Sequence, residues 1–268
     1  ATAEPAVATA EPAVAEPAVA EPAVAEPAES AAVQRYAPTA PAHLDGEDAE
    51  HQRRVVARAH SLGAKATELA REIVSSSEPQ SVRKALPLVR GLLTELGDRE
   101  MFQAFARTLE TSPELYTHSI NVSVSVYAMA LGSRRNYDDE QMLELATGAF
   151  LHDIGMTAIP DEIVKKPGPL TPQEGVVIHR HPHEGRAIAA RTRAFSPKVL
   201  DIIEYHQERY DGSGYPDGLR GDQIPEGARI VAIADAFDAL TVHKPYRTAY
   251  SLFKALIIVR DEMATGFD

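Results

Sequence analysis

The sequence predicts an all-α protein, and three of its features support that class. From residue 47 onward, apolar residues recur at helical spacing. Most of the helical segments follow a Ser-Pro pair, a Thr-Pro pair or another helix-start signal. No alternating run of strand length interrupts them. Because 44% of the 268 residues are hydrophobic, the chain can bury a substantial core.

Residues 1–46 are predicted to be a disordered linker, because they repeat the pattern AEPAV and then continue with further prolines. Each proline removes a backbone donor and biases the preceding residue towards an extended conformation. Such a repeat buries nothing and is typical of a stiff, extended spacer. A docking peptide is the alternative interpretation of this segment.

Residues 47–99 are predicted to form an N-terminal helical segment of one or two helices, and residues 100–268 a main helical domain. Asp138 and Gln141 have the spacing of a capping box, for a helix that should end near His152. The other predicted helix starts in the main domain are Ser112-Pro113, Thr171-Pro172, Ser196-Pro197, Pro225 and Ser251.

Composition and charge exclude several classes of site. The chain has no cysteine, which excludes a disulfide scaffold, a thiolate zinc site and a thiol nucleophile. Its net charge of −12 disfavours binding to nucleic acid polymers or to anionic lipid. No apolar run approaches the roughly 20 residues of a membrane span, and no signal peptide is visible. We therefore expect a cytoplasmic protein without a membrane segment; the missing initiating Met is what a fragment would show.

Several residues that can bind metal lie on the apolar faces of different predicted helices. Glu114 and His118 are four residues apart and share one helix face. His206 follows the apolar stripe of its helix, His181 precedes a proline, and Asp235 is embedded in IVAIADAFDAL. A lone buried histidine is usually a hydrogen-bonded core residue, and an unpaired carboxylate is costly to bury. Together, these residues indicate helices that converge on a cation. Nitrogen and oxygen ligands without sulfur suit Mn or Fe, and zinc less specifically.

The adjacent pair His152–Asp153 ends an apolar helix and is followed at once by a glycine. Adjacent side chains at a helix end can diverge, so His152 can bind one ion while Asp153 bridges to a second. Two metals about 4 Å apart can hold both the attacking and the leaving oxygen of a phosphoester. The pair therefore predicts a two-metal centre for phosphoester cleavage.

Two loops are candidates for substrate contact. Residues 208–225, ERYDGSGYPDGLRGDQIP, form a Gly- and Pro-rich loop directly after His206. In HKPYR, residues 243–247, Lys244 and Arg247 can hold phosphate oxygens, or they belong to a solvated basic turn. The four remaining histidines of these helices are expected to be structural or on the surface: His51, His60, His179 and His183.

The ordered motifs resemble the HD-GYP domain, a branch of the HD phosphohydrolase superfamily. The resemblance runs from about residue 100 to the end and includes YTHS (116–119), HDIG (152–155), GYP (214–216) and KPYR (244–247). It implies an all-α domain with two or three metal ions, usually iron or manganese. It also implies hydrolysis of cyclic di-GMP to pGpG or to GMP, and contact with diguanylate cyclases (GGDEF proteins) through the GYP region. The chain stops inside the family's closing segment, so a C-terminally truncated domain is expected.

The resemblance also implies roles for individual residues. Asp153, Lys244 and Arg247 are the expected catalytic residues, and the last two are expected to contact the substrate phosphates beside Gly214, Tyr215 and Pro216. Glu114 matches the extra carboxylate of three-metal members. The implied metal ligands are Glu114, His118, His152, Asp153, His181, His206 and Asp235.

Two positions depart from the family pattern. Met156 stands where the family has a lysine that contacts the scissile phosphate, and a thioether carries no charge and donates no proton. Gln207 replaces a histidine ligand, and an amide binds such metals weakly. These departures favour an alternative hypothesis, a catalytically degenerate domain that binds cyclic dinucleotides or protein partners. A third hypothesis, hydrolysis of another nucleotide, is disfavoured by the intact DGSGYP loop.

Overall fold

The computed structural model describes residues 46–76, 78–97, 117–242 and 249–262. Every regular element within these ranges is helical, so the all-α prediction is confirmed. Of the predicted linker, only its last residue, Gly46, lies among the described residues, where it starts the first helix. No helix in these ranges is both long enough and apolar enough to cross a bilayer.

Three helices precede the predicted main domain: α1 (Gly46–Ser76), α2 (Pro79–Val82) and α3 (Ala85–Leu96). Buried residues on α1 recur every three to seven positions and form one apolar stripe. Most of them are alanines, which lets α3 pack closely along α1. The buried hydrophobic residues of the two helices are Ala59, Ala66, Ala70, Ile73, Ala85, Val89, Leu92 and Leu96.

The next two helices, α4 (Thr117–Gly132) and α5 (Asp139–Leu151), pack against each other. Ser123 of α4 donates its hydroxyl to the carbonyl of Ala146, 2.9 Å away. The predicted capping box is present, because Gln141 N–H lies 2.8 Å from Asp138 Oδ1 and the reciprocal bond is 3.0 Å. The predicted helix start at Ser112-Pro113 lies outside the described residues.

Short elements follow α5: a 3₁₀ helix (Ile154–Ala158), α6 (Asp161–Val164) and α7 (Pro172–Ile178). Longer helices come next: α8 (His181–Arg191), α9 (Pro197–Tyr205) and, after a second 3₁₀ turn (Gly221–Gln223), α10 (Glu226–Thr241). Last come α11 (Leu252–Ile257) and a π-helical turn (Ile258–Glu262). The predicted starts at 171–172, 196–197, 225 and 251 are all confirmed.

Helices from both sides of the predicted boundary at residues 99–100 share one hydrophobic core. Ile73 and Val89 belong to the same buried cluster as Ile120, Phe150 and Ile203. Arg83, between α2 and α3, donates from Nε to the carbonyl of Thr192 at the end of α8, 2.8 Å away. The exact domain boundaries remain a prediction, but the leading helices pack directly onto the helices that carry the candidate ligands.

The 3₁₀ helix lies very close to the start of α8, and Gly155 makes that approach possible. A Cβ at residue 155 would collide with the carbonyl oxygen of His181 and would lie 2.5 Å from the nitrogen of Gly185. Both obstacles are backbone atoms, which cannot rotate away as a side chain can. Gly155 therefore allows the residue before this helix, Asp153, to reach His181.

We expect Gly155→Ala to lower the free energy of unfolding by about 1–3 kcal/mol, the usual cost of overpacking a close contact. Gly91→Ala is the matched control, because a Cβ there has nothing within 4 Å. In the exposed interior of α3 that substitution should stabilise the protein by about 0.5–1 kcal/mol. Urea unfolding of both metal-free variants measures the difference, and equal effects would contradict the close-approach role.

Candidate metal centre

Six of the predicted metal ligands are described, and the structure brings all six together. Most of them lie at helix ends, where the chain changes direction and side chains from different helices can meet. They are His118 in the first turn of α4, His152 at the end of α5, Asp153 before the 3₁₀ helix, His181 at the start of α8, His206 at the end of α9, and Asp235 within α10. Their roles as ligands remain predictions.

Five of these six side chains form two groups that share Asp153: His118 and His152 belong to the first, and His181 and His206 to the second. In the first group, Asp153 Oδ2 lies 3.4 Å from His152 Nε2 and 3.8 Å from His118 Nε2. In the second, Asp153 Oδ1 lies 3.3 Å from His181 Nε2 and 3.6 Å from His206 Nε2. One carboxylate oxygen thus faces each histidine pair, as a bridging ligand between two ions requires.

Asp235 lies beside the two histidines of the first group. Its Oδ1 lies 3.3 Å from His118 Nε2 and 3.9 Å from His152 Nε2. The Asp153 side chain is 36% exposed, whereas the side chains of His152 and His206 have no exposed surface. Buried histidines therefore enclose part of the centre, and the shared carboxylate of Asp153 is accessible to solvent.

The backbone fixes the orientation of three of these imidazoles. His152, His181 and His206 each donate Nδ1–H to the carbonyl three residues earlier, at 2.7, 2.9 and 2.9 Å. Because a carbonyl only accepts, the neutral ring of each residue keeps its lone pair on Nε2. The Nε2 atoms of His181 and His206 are only 3.2 Å apart. Two lone pairs so close repel unless a cation binds both, and this donor set fits a divalent metal.

Asp238 is a part of the centre that the sequence analysis missed. Its buried carboxylate accepts from His118 Nδ1 at 2.7 Å and from Asn121 Nδ2 at 2.9 Å. A carboxylate behind a ligating histidine fixes the ring and increases its basicity. The available signal was its spacing: Asp238 follows Asp235 by three residues, on the same side of α10.

Charges within the cluster shift the pKa values in opposite directions. Burial alone would lower the pKa of His118, but hydrogen bonds to Asp235 and Asp238 and the charge of Asp153 raise it to about 10. Burial likewise opposes the shift at Asp153, where His152 and hydrogen bonds to three histidines hold the pKa of the carboxyl well below its usual value. Burial lowers the pKa of His206. At neutral pH the metal-free cluster therefore keeps Asp153 ionised and His118 protonated.

The loop of residues 208–225, called the GYP loop below, folds back onto the end of α9. Glu208 is 3% exposed. Its carboxylate accepts hydrogen bonds from the backbone N–H groups of Asp217, Gly218 and Leu219, at 2.7, 3.0 and 2.9 Å. A Cβ at Gly214 would collide with the backbone of Arg209. This role of Glu208 was not predictable from the sequence, because nothing local shows which N–H groups a buried acid will meet.

The GYP loop places Tyr215 beside the second ligand group. Tyr215 N–H donates to the carbonyl of Gln207 at 3.2 Å, and the Tyr215 ring lies edge-on to His181 with ring centroids 6.1 Å apart. One face of the Tyr215 ring is stacked on the His179 ring, with centroids 3.9 Å apart. His179 was expected to be structural or on the surface, and it is exposed. It nevertheless adjoins the site, because α7 ends beside Tyr215. His183 instead contacts Glu204, at 3.2 Å.

Met156 lies on the 3₁₀ helix, three residues after Asp153. The backbone N–H of Met156 donates to the carbonyl of Asp153 at 2.9 Å, so Met156 lies one turn after the residue that carries the shared carboxylate. The remaining predicted site residues, Glu114, Lys244 and Arg247, lie outside the described residues.

A family model described as an HD domain matches residues 68–268. The chain belongs to the HD domain family. A cyclic di-GMP phosphodiesterase of Pseudomonas aeruginosa is 38% identical over 148 residues, which is 55% of this chain and 36% of that protein. A 3′3′-cGAMP-specific phosphodiesterase of Vibrio cholerae is 39% identical over 151 residues, 56% of this chain and 34% of that protein. This chain thus spans about a third of each of these relatives.

Among solved structures, a Bdellovibrio bacteriovorus protein described as HDG"Y"P superposes with a TM-score of 0.65 at 21% identity. The match covers 80% of this chain and 69% of the other, and it shows that this HD domain has the same fold. The expected resemblance to the HD-GYP domain is confirmed by these matches.

Metal loading of the HD domain should release protons at pH 7. Because the pKa of His118 is raised to about 10, this ring is protonated at neutral pH in the metal-free protein, and a metal must displace that proton. Apparent metal affinity should therefore rise with pH by roughly tenfold per unit for each proton released, up to the raised pKa. Calorimetric titration with Mn²⁺ in two buffers of different ionisation enthalpy counts the protons, and a count of zero would contradict this assignment.

Asp238→Asn should weaken metal binding by about 10–100-fold, the usual effect of losing the carboxylate behind a ligating histidine. The amide cannot accept from both His118 and Asn121. Asp222→Asn is the matched control, because that side chain is 89% exposed and lies on the GYP loop. Competition with a chromophoric chelator measures both affinities; the same affinity in the two variants would show that Asp238 does not support the centre.

Proposed function

We propose that the chain is a metal-dependent phosphodiesterase that hydrolyses cyclic di-GMP to pGpG or GMP. The observation that carries the proposal is the pair of ligand groups joined by one carboxylate, Asp153. A phosphodiester has an attacking and a leaving oxygen on opposite sides of phosphorus, and two adjoining cation sites suit both. The names of similar proteins, which are phosphodiesterases for cyclic dinucleotides, support the substrate class.

We assign two divalent ions to the centre, iron or manganese. His118, His152 and Asp235 would hold one ion, His181 and His206 the other, and Asp153 both. The absence of cysteine and the all-nitrogen-and-oxygen donor set favour these metals over metals that prefer sulfur. Glu114 is proposed as the additional carboxylate of a third position.

When bound, two such cations offset phosphate charge and lower the pKa of water to near neutrality. The chain's own residues supply orientation. Asp153 sets the relation between the two groups, the three Nδ1–carbonyl bonds aim the imidazoles, and Asp238 holds His118. We assign Lys244 and Arg247 to the phosphate oxygens, and Gly214, Tyr215 and Pro216 to the wall of the substrate pocket.

Cyclic di-GMP is the first substrate to test, and 3′3′-cGAMP the second. The relatives named for these two compounds are equally similar to this chain, at 38% and 39% identity. Both compounds contain the same phosphodiester-linked ring and differ in one base, so the metal centre itself does not discriminate between them.

A second candidate function is a binding module that has lost catalytic power. Met156, one turn after Asp153, favours it, because a thioether cannot protonate a leaving oxygen or carry positive charge. Gln207 adjoins the ligand His206 and offers an amide in place of an imidazole. Such a domain would still bind metal and nucleotide.

Diguanylate cyclases are the protein partners we propose, with the GYP loop as the contact surface. Exposed residues of this loop, including Asp211, Ser213, Pro216 and Asp217, support that choice. The contact itself stays a prediction.

The deciding experiment is metal analysis of anaerobically purified protein combined with cyclic di-GMP turnover, beside a Met156→Lys variant. We expect about two metal equivalents per chain and measurable turnover in the parent. Met156→Lys should raise kcat by about 10²-fold, the order of magnitude of one charge-assisted contact in the transition state. His152→Ala combined with Asp153→Ala is the control that should lose the metal while the helices remain folded.

The outcomes separate the two candidate functions. Turnover in the parent supports the phosphodiesterase. Metal and nucleotide binding without turnover, rescued by Met156→Lys, supports the degenerate binding module. Unchanged metal content in the double variant would rule out the proposed metal centre and, with it, the metal-dependent phosphodiesterase.

A further inference from the structure

His179 and Tyr215 form a stacked pair of rings at the edge of the metal centre. Their ring centroids are 3.9 Å apart and their planes differ by 14°. The inner ring, Tyr215, also makes an edge-type contact with the candidate ligand His181, with centroids 6.1 Å apart and planes at 80°. The pair therefore begins at a ligand of the second group and extends away from it.

The inner ring is held in place independently of His179. Tyr215 N–H bonds to the carbonyl of Gln207, and Gly214 packs its backbone against residues 207–209. Glu208 accepts from three consecutive N–H groups just beyond Tyr215. These contacts fix the loop backbone that carries Tyr215, and the His179 ring packs against the Tyr215 ring.

The outer ring is accessible to a ligand. Tyr215 is half-buried, whereas His179 is exposed. His179 follows the last residue of α7 and stands two residues before His181 in sequence. The Tyr215 ring, which contacts both histidines, links it to the second group. A flat, exposed ring backed by a second ring is a surface on which nucleobases stack, since every base has an aromatic face.

We propose that His179, supported by Tyr215, is a nucleobase subsite that stacks one purine of a cyclic dinucleotide while a phosphate of the same molecule lies at the metal centre. The inference rests on the proposed function for its ligand class. It adds a specificity-determining residue, because a phosphodiester without a base would gain nothing from this ring.

The competing explanation is that His179 only positions Tyr215 and the GYP loop. The two roles predict different substrate dependence. A base subsite affects binding of substrates that carry a base and leaves small diesters unaffected. A positioning role affects both kinds of substrate alike, because the loop borders the metal centre itself.

The test uses the metal-loaded full chain, His179→Ala, and His179→Phe, which keeps a flat ring. His183→Ala is the matched control. Like His179, this histidine is two residues from His181 in the sequence, but its side chain contacts Glu204. Binding of cyclic di-GMP is measured by calorimetry in Ca²⁺, which replaces the metals under conditions that suppress turnover. Turnover of cyclic di-GMP and of ethyl p-nitrophenyl phosphate is measured in Mn²⁺.

We expect His179→Ala to weaken cyclic di-GMP binding and raise KM about tenfold, the usual effect of removing one stacking ring. The value of kcat, the metal content and the turnover of ethyl p-nitrophenyl phosphate should stay within about twofold of the parent, a change worth less than one stacking contact. His179→Phe should restore binding, and His183→Ala should behave as the parent.

Three results would overturn the subsite: unchanged cyclic di-GMP binding in His179→Ala, an equal loss on both substrates, or failure of Phe to restore binding. A parent that binds cyclic di-GMP through His179 without hydrolysing it would overturn the phosphodiesterase and leave the subsite standing. A parent that neither binds nor hydrolyses the nucleotide would overturn both.

Discussion

The Asp153 carboxylate, shared between two pairs of histidines, is the interaction on which the rest of the centre depends. Its two oxygens face different groups, at 3.4 Å from His152 and 3.3 Å from His181. Asp153 can contact both because it lies between the end of α5 and the 3₁₀ helix that packs against the start of α8. Gly155 provides that placement by letting the 3₁₀ helix approach the backbone of α8.

Much of the architecture follows from local sequence rules, because helix starts depend on neighbours in the chain. The capping boxes at Asp138 and Thr171 were predictable from spacing alone. The candidate ligands were also predictable, since each lies at an apolar helix face or at a helix end, where a solitary polar group would be costly.

The supporting residues were not predictable in the same way. Asp238 binds His118 across 120 positions of sequence, and helical periodicity shows its face but not its partner. Glu208 binds the backbone of its own loop, a contact set by the path of the loop rather than by residue type. His179 meets Tyr215 because of the direction in which α7 ends, which composition does not encode. Each of these three contacts depends on the folded path of the chain and not on the local sequence pattern.

The two sides of the centre differ in how they tolerate mutation. His152, His181 and His206 are aimed by main-chain carbonyls of their own helices, and every amino acid supplies a carbonyl. Substitutions around these rings leave their anchors in place. Among these four histidines, only His118 is oriented by side chains: it donates to Asp238, and Asn121 donates to the same carboxylate. A single substitution can therefore remove the group that orients His118. Substitutions should therefore disturb the first group, which contains His118, before they disturb the second.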